Sequence, residues 1–265
     1  MKLLFLLLFI MTLILPSQMF AANTTTNIPI LCYHNLNPTK PGSMNMTPKK
    51  FEYQIQWLVD NGFTVIPLQQ AVEYLQGKRE SLPNKAVVVT VDDGWQSVYT
   101  YMLPIIKKYN IPVTLFIYPE TISKGKNAMT WEELAKLQQT GLFNIQSHTY
   151  SHPNFKHARK SMSPENYEKY VTKELASSKS ILENKTGTKI SYLAWPFGIY
   201  DSYLEQAAAK AGYIMSFTID ARTANQSFRS EAQPRYMIVD DLSEKTFQAI
   251  ANSAKSRPKT VSAEK

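Results

Sequence analysis

The chain has 265 residues, with 29 Lys and Arg against 21 Asp and Glu, a formal charge of +8, and a single cysteine, Cys32. That length suits one α/β domain with a sizeable core, and one cysteine excludes a disulfide scaffold. The positive balance favours adhesion to anionic surfaces such as lipid head groups or wall polymers. Its densest cluster, Lys156-His-Ala-Arg-Lys160, lacks the aromatic interleaving of a nucleic-acid groove and reads as a solvated loop.

Met1-Lys2, an apolar run to Leu15, then Pro16 and Ala21-Ala22 have the form of a secretory signal peptide over residues 1–22, with cleavage near Ala21 or Ala22. The apolar run is too short to span a bilayer comfortably. Cys32 lies well past it and follows Pro29-Ile-Leu31, which argues against a lipoprotein anchor. Export without disulfides points to a bacterial envelope, whether periplasm, cell surface or medium. Residues 28–33 form the next apolar run. Thr47 as a cap, Pro48 in the first turn and a stripe of Phe51, Ile55, Leu58 and Val59 predict a helix that stops before Gly62. A strand over 64–68 and a short helix to Gln76 follow. Residues 86–91 are a buried strand, and the helix after it runs through Lys108 with Pro104 interrupting its pattern. Residues 112–118 are strongly apolar and β-branched. Thr130-Trp-Glu-Glu133 has capping-box spacing and opens a helix that stops near Gly141. Strands at 143–147, 192–195, 213–219 and 235–239 alternate with helices at 164–184, at 202–211 and from Ser243 onward. From about residue 256 the tail is polar and reads as disordered. Alternation of strand and helix calls for a parallel sheet, and about seven strands in one domain over residues 23–255 favour a distorted (β/α) barrel.

In such a fold the strand ends deliver side chains to one rim, where loops carry function. Asp92-Asp93 sits where the 86–91 strand runs out, directly before Gly94. Adjacent carboxylates cannot both stay ionised without a cation or a shared proton. One reading gives one carboxylate to a metal and the other to acid/base chemistry; the other reading makes Asp-Gly a simple turn. The chain has four histidines, His34, His148, His152 and His157. His148 and His152 are four apart, which would put both imidazoles on one side of a helical turn, and imidazole is a preferred zinc ligand. Two histidines and a carboxylate make three protein ligands, the count of a catalytic metal site. Strand ends at Cys32-Tyr33-His34, Asp92-Asp93, His148 and Trp195-Pro-Phe-Gly198 would converge on one rim. Trp95, Tyr118, Trp131 and Trp195 could stack on sugar rings, although packing is the commoner role for such aromatics.

These residues resemble a known family. Thr90-Val-Asp-Asp-Gly94 is similar to the first motif of the NodB-homology polysaccharide deacetylases, carbohydrate esterase family 4, and His148-Thr-Tyr-Ser-His152 to their second. Ala194-Trp-Pro-Phe-Gly198 looks like a variant of their third. The resemblance implies a divalent metal, usually zinc and otherwise cobalt, nickel or manganese, held by Asp93, His148 and His152, with Asp92 as general base. It also implies an oxyanion donor at the Phe197 amide. Two departures stand out. Ala194 replaces the arginine that usually orients the base, and Arg235 is the substitute suggested by its strand position. The C-terminal Leu-x-His that usually supplies the acid is missing, and His34 replaces it more plausibly than His157. Both departures resemble the poly-β-1,6-N-acetyl-D-glucosamine N-deacetylases of biofilm matrix export.

The expectation is therefore an exported monomer that removes acetyl groups from a polysaccharide, with Trp195, Trp95 and Tyr118 at the substrate, no nucleic-acid partner and peripheral contact with an anionic membrane or wall. Peptidoglycan or chitin-type chains are alternative substrates. A carbohydrate-binding pseudoenzyme is the alternative class.

Overall fold

The computed structural model describes residues 24–40, 42, 44–254 and 256–258. The expected leader at 1–22 lies outside the described residues. Strand β1 (Thr24–Thr26) precedes β2 (Ile30–Tyr33), which is buried along its whole length. The short β3 (Asn35–Leu36) and β4 (Asn45–Met46) pair with each other and lead into α1 (Pro48–Asp60). Thr47 caps α1 through the Lys50 amide, and Pro48 fills a first-turn position whose N–H would have no helical partner anyway. Strand β5 (Thr64–Val65) is followed by α2 (Leu68–Leu75), which buries Leu68, Ala71, Val72 and Leu75. These cluster with Ile28, Ile30, Ala86 and Val88 at the N-terminal ends of the strands, so α2 closes one end of the barrel. The C-terminal ends form the other rim.

The central strand β6 (Ala86–Asp93) carries an unbroken apolar run before its two acids, as expected for a parallel strand covered on both faces. After it the chain forms a π-helical turn over Val98–Met102 and then α3 (Leu103–Tyr109). The Leu103 amide reaches back five residues to the Val98 carbonyl. Pro104 stands where a regular helix would need another donor, and the widened turn lies just before it. Then come β7 (Val113–Ile117), α4 (Trp131–Gln139) with its full capping box, and β8 (Phe143–Ser147). Residues 155–161 form α5 (Phe155–Ser161), capped by Asn154. The basic cluster is thus a helix rather than the expected loop: Phe155 and Ala158 anchor one face while the lysines stay in water. α6 (Pro164–Thr186), β9 (Tyr192–Ala194), α7 (Ser202–Lys210), β10 (Met215–Phe217), β11 (Tyr236–Met237) and α8 (Glu244–Asn252) complete the barrel. The polar tail also departs from expectation. Its first residues form β12 (Ser256–Pro258), antiparallel to β1, because backbone pairing asks little of side-chain polarity.

The strand order is β10-β9-β8-β7-β6-β2-β11, all parallel, with β5 on the lower part of β6. The segment from Gln233 to Met237 closes the ring. Gln233 exchanges backbone hydrogen bonds of 2.9 Å with Ser216 and Thr218 beside β10, while Tyr236 and Met237 pair with β2. This is the distorted (β/α) barrel expected from the sequence. Register levels the strand ends: Cys32 lies opposite Thr90, Asp93 opposite Ile117, and Ile117 opposite Ser147. His34, Asp92 and His148 therefore reach the open rim together. Among the described residues no helix is long and apolar enough to cross a membrane.

Candidate functional site

Asp92 points into the barrel and is 1% exposed. Arg235, wholly buried in the closing segment, grips it with two hydrogen bonds, Nη1 to Oδ1 at 2.8 Å and Nη2 to Oδ2 at 2.7 Å. The guanidinium is fixed in turn. Its Nε donates to the Thr218 carbonyl at 3.1 Å, its Nη1 also to Thr90 Oγ1 at 3.1 Å, and its plane lies 5.1 Å from the Phe116 ring centre. Burial alone would push the Asp92 carboxyl up. The Arg235 charge, helped by His148, overrides burial and holds it well below the usual carboxylate range. Arg235 thus contacts the carboxylate that Ala194 cannot reach.

Asp93 has a different setting. Strand alternation would send it to the opposite face from Asp92, but a φ of +79° turns it back toward the rim. Its Oδ2 accepts the Trp95 indole N–H at 2.9 Å. Its Oδ1 lies 3.6 Å from Nε2 of both His148 and His152. Those distances are too long for hydrogen bonds. Two ligands each about 2.1 Å from a tetrahedral cation would lie about 3.4 Å apart. One ligand atom from each of the three residues lies within 4.8 Å of the others. His148 Nδ1 is 2.8 Å from the Ala194 carbonyl, which can only accept. Nδ1 therefore donates to that carbonyl, and Nε2 is the ring atom turned toward Asp93. Burial and the neighbouring His148 push the His152 imidazole down to about 4, which keeps it neutral. Two imidazoles and one carboxylate oxygen suit a divalent metal such as zinc.

The two histidines do not share a helical turn. They flank a loop in which Thr149 and His152 both take positive φ, 65° and 56°. Glu174, 3% exposed on α6, holds that loop: its carboxylate accepts the Tyr150 amide at 3.1 Å, the Ser151 amide at 2.9 Å and the Ser151 hydroxyl at 2.7 Å.

His34 follows β2 at the level of Asp92. Its Nδ1 is buried without a hydrogen-bond partner among the described residues, and burial lowers the imidazole pKa against the pull of Asp92 and Asp93. Phe197 occupies a turn at φ 57°, exposed, with its ring 4.6 Å from that of His152. Trp95 and Tyr118 line a cavity of about 210 Å³ beside Asp93, together with Gly125 and Lys126. Trp195 is a correction. Expected at the substrate, it is wholly buried, donates to Ser216 Oγ at 2.9 Å and packs edge-on against Phe155. Alternation along β9 places it on the helix-covered face, where it fills core. Trp131 lies under the Lys185 ammonium at the head of α4 and does not line the cavity beside Asp93.

Two residues of the site went unread in the sequence. Cys32 donates its thiol to Asp92 Oδ2 at 3.4 Å; it is two residues before His34, so alternation alone puts both on the barrel's inner face. Glu174 had a fainter signal, a carboxylate on the buried stripe of Tyr167, Val171, Leu175 and Leu182.

The comparisons with known proteins agree with this geometry. The family model described as polysaccharide deacetylase matches residues 79–216, more than half of the chain. The chain belongs to this family. The deacetylase is 29% identical to YxkH of Bacillus subtilis, whose name places it among polysaccharide deacetylases, over 86% of this chain and 77% of that protein. It is 25% identical to the poly-β-1,6-N-acetyl-D-glucosamine N-deacetylase of Staphylococcus epidermidis, over 76% and 70% of the two chains. The structure of IcaB from Ammonifex degensii superposes with a TM-score of 0.75 at 25% identity, covering 86% of this chain and 97% of that one. The protein is thus a hydrolase of carbon–nitrogen bonds, a polysaccharide N-deacetylase.

Proposed function

We propose that this deacetylase is metal-dependent, is exported from a bacterial cell, and removes acetyl groups from N-acetylglucosamine residues of an extracellular polysaccharide, preferentially poly-β-1,6-N-acetyl-D-glucosamine. The observation that carries the chemistry is an arginine-gripped Asp92 beside the Asp93, His148 and His152 trio. The likeness to the Staphylococcus epidermidis enzyme supports the choice of glycan. The protein works as a monomer, has no nucleic-acid partner and touches anionic membrane or wall only peripherally.

A divalent cation held by Asp93, His148 and His152, zinc before cobalt, nickel or manganese, would supply Lewis-acid polarisation of the acetyl carbonyl and a more acidic water. Asp92 accepts the proton of the attacking water as its oxygen bonds to the carbonyl carbon. Arg235 keeps that carboxylate ionised and fixes its orientation, so little reorganisation is needed. The Phe197 amide donates to the oxyanion that develops. His34, with a ring nitrogen within 4.8 Å of an Asp92 oxygen, takes up the proton that Asp92 gained and passes it to the leaving nitrogen as the C–N bond breaks, freeing acetate and a glucosamine residue; burial weakens its hold on that proton. Trp95 and Tyr118 flank the sugar.

Acetate release tests the reading, measured across β-1,6-linked N-acetylglucosamine oligomers, chitooligosaccharides and peptidoglycan fragments, with and without a chelator. Fastest turnover on the β-1,6 series, lost to the chelator and restored by zinc, is expected. Preference for another glycan would overturn the substrate, and chelator-resistant turnover would overturn the metal.

A further inference from the structure

The barrel interior holds a second group of metal-ligating side chains beside the Asp93, His148 and His152 trio. Cys32 Sγ, a His34 ring nitrogen and an Asp92 carboxylate oxygen all lie within 4.8 Å of one another, one of two such clusters among the described residues. The two adjoin, since His148 Nε2 is 3.8 Å from Asp92 Oδ2. Alternation from β2 onward turns Cys32 and His34 to the same inner face, and register sets Cys32 level with Thr90, two residues before Asp92.

One thiol, one imidazole and one carboxylate make a zinc-type donor set. The spacing fits as well. A sulfur about 2.3 Å and an oxygen about 2.0 Å from a tetrahedral zinc lie about 3.5 Å apart, and Cys32 Sγ is 3.4 Å from Asp92 Oδ2. His34 adds an unsatisfied atom: its Nδ1 is buried with no hydrogen-bond partner among the described residues, and a buried polar atom left in that state favours a ligand. Two features make this cluster weaker than the trio. Burial holds the Cys32 thiol protonated, so a cation must displace that proton to solvent. The Arg235 guanidinium on Asp92 also repels an incoming cation. The trio therefore fills first.

We propose that Cys32, His34 and Asp92 form a second, weaker metal site, and that a divalent cation bound there inhibits the enzyme. The proposal rests on the deacetylase reading and goes beyond it. A cation on this cluster takes the lone pairs with which Asp92 accepts a proton and His34 carries one, so the metal that activates at one per chain inhibits at two.

Cobalt(II) is titrated into the full chain carrying one zinc, with absorbance and acetate release from N-acetylglucosamine oligomers followed together. Cobalt on a thiolate gives a sulfur-to-metal charge-transfer band in the near ultraviolet, which nitrogen and oxygen ligands do not give. Cys32 is the single cysteine of the chain, so such a band can come from no other residue. The band should grow as turnover falls, by about a hundredfold at saturation. Cys32→Ser should show neither the band nor the fall, measured against its own rate with one zinc. No band at saturating cobalt overturns the site, a reading that needs no variant to fold. A band that grows at undiminished turnover overturns the inhibition, as does a Cys32→Ser protein inhibited like the unmodified one. No acetate at any metal loading overturns the deacetylase reading instead, and the band then judges the site by itself.

Discussion

Asp92 and Asp93 are the same residue type one peptide apart, yet the fold treats them oppositely. Asp92 lies inside the barrel with both oxygens taken by Arg235 and a thiol on one of them. Asp93 is turned out by its positive φ, has a side chain 13% exposed, and keeps one oxygen facing two imidazoles. On the mechanism proposed above, that difference lets one dipeptide serve two tasks. A base must be ionised, oriented and dry, whereas a metal ligand must keep a lone pair free beside other ligands. Environments that separate neighbouring acids in this way assign their roles.

That division of labour can be broken at several points, most severely at the base. Asp92→Asn should lower kcat by roughly 10²–10⁴-fold while the protein still binds one metal per chain, read by acetate release and elemental analysis. Metal lost along with activity would mean that the two acids share one task. Arg235→Met strands a buried carboxylate without its partner and should cost about 3–5 kcal/mol of stability, seen in denaturant titration. Arg235→Lys should recover part of this, and a stability loss near zero would show that Asp92 does not depend on the pair. On the ligand side, Glu174→Ala leaves the Tyr150 and Ser151 amides unpaired. It should weaken metal binding about 10–100-fold in competition with a chromogenic chelator, and unaltered affinity would reduce Glu174 to a packing residue. Trp95→Phe removes one hydrogen bond from Asp93, worth about 1 kcal/mol, so metal affinity should fall roughly fivefold with kcat little changed.

The parts legible in the sequence were those written locally. Apolar runs ending in Asp92-Asp93 and in His148 gave the strands and their shared rim, because a parallel strand buried on both faces has a plain composition. The capping residues Thr47, Thr130 and Ser243 marked helix starts correctly, each bonding an amide three residues on. The His148–His152 spacing pointed to the right neighbours for the wrong reason. The loop reaches its shape through two left-handed residues and a carboxylate from α6, neither of which spacing encodes. Trp195 was misjudged because an aromatic at a strand end faces the rim or the helices according to strand phase, and the motif's turn at Phe197 obscures that phase. Arg235 was reached only by its strand position; its two-pronged hold on Asp92 depends on sheet closure, a long-range property.

That closure bears on how the molecule assembles. Arg235 is 143 residues downstream of Asp92, and the segment carrying it also joins the β10 and β2 edges. Contacts so distant in the chain form late, since loop entropy must be overcome first. Until they form, Asp92 has no cation at hand and its burial is unfavourable, so the interior around it cannot settle. Native-state hydrogen exchange should find the amides of β2, β6 and residues 233–237 protected as one cooperative unit; independent opening of residues 233–237 would contradict this. Locking the barrel and fixing the Asp92 carboxylate are then a single folding event.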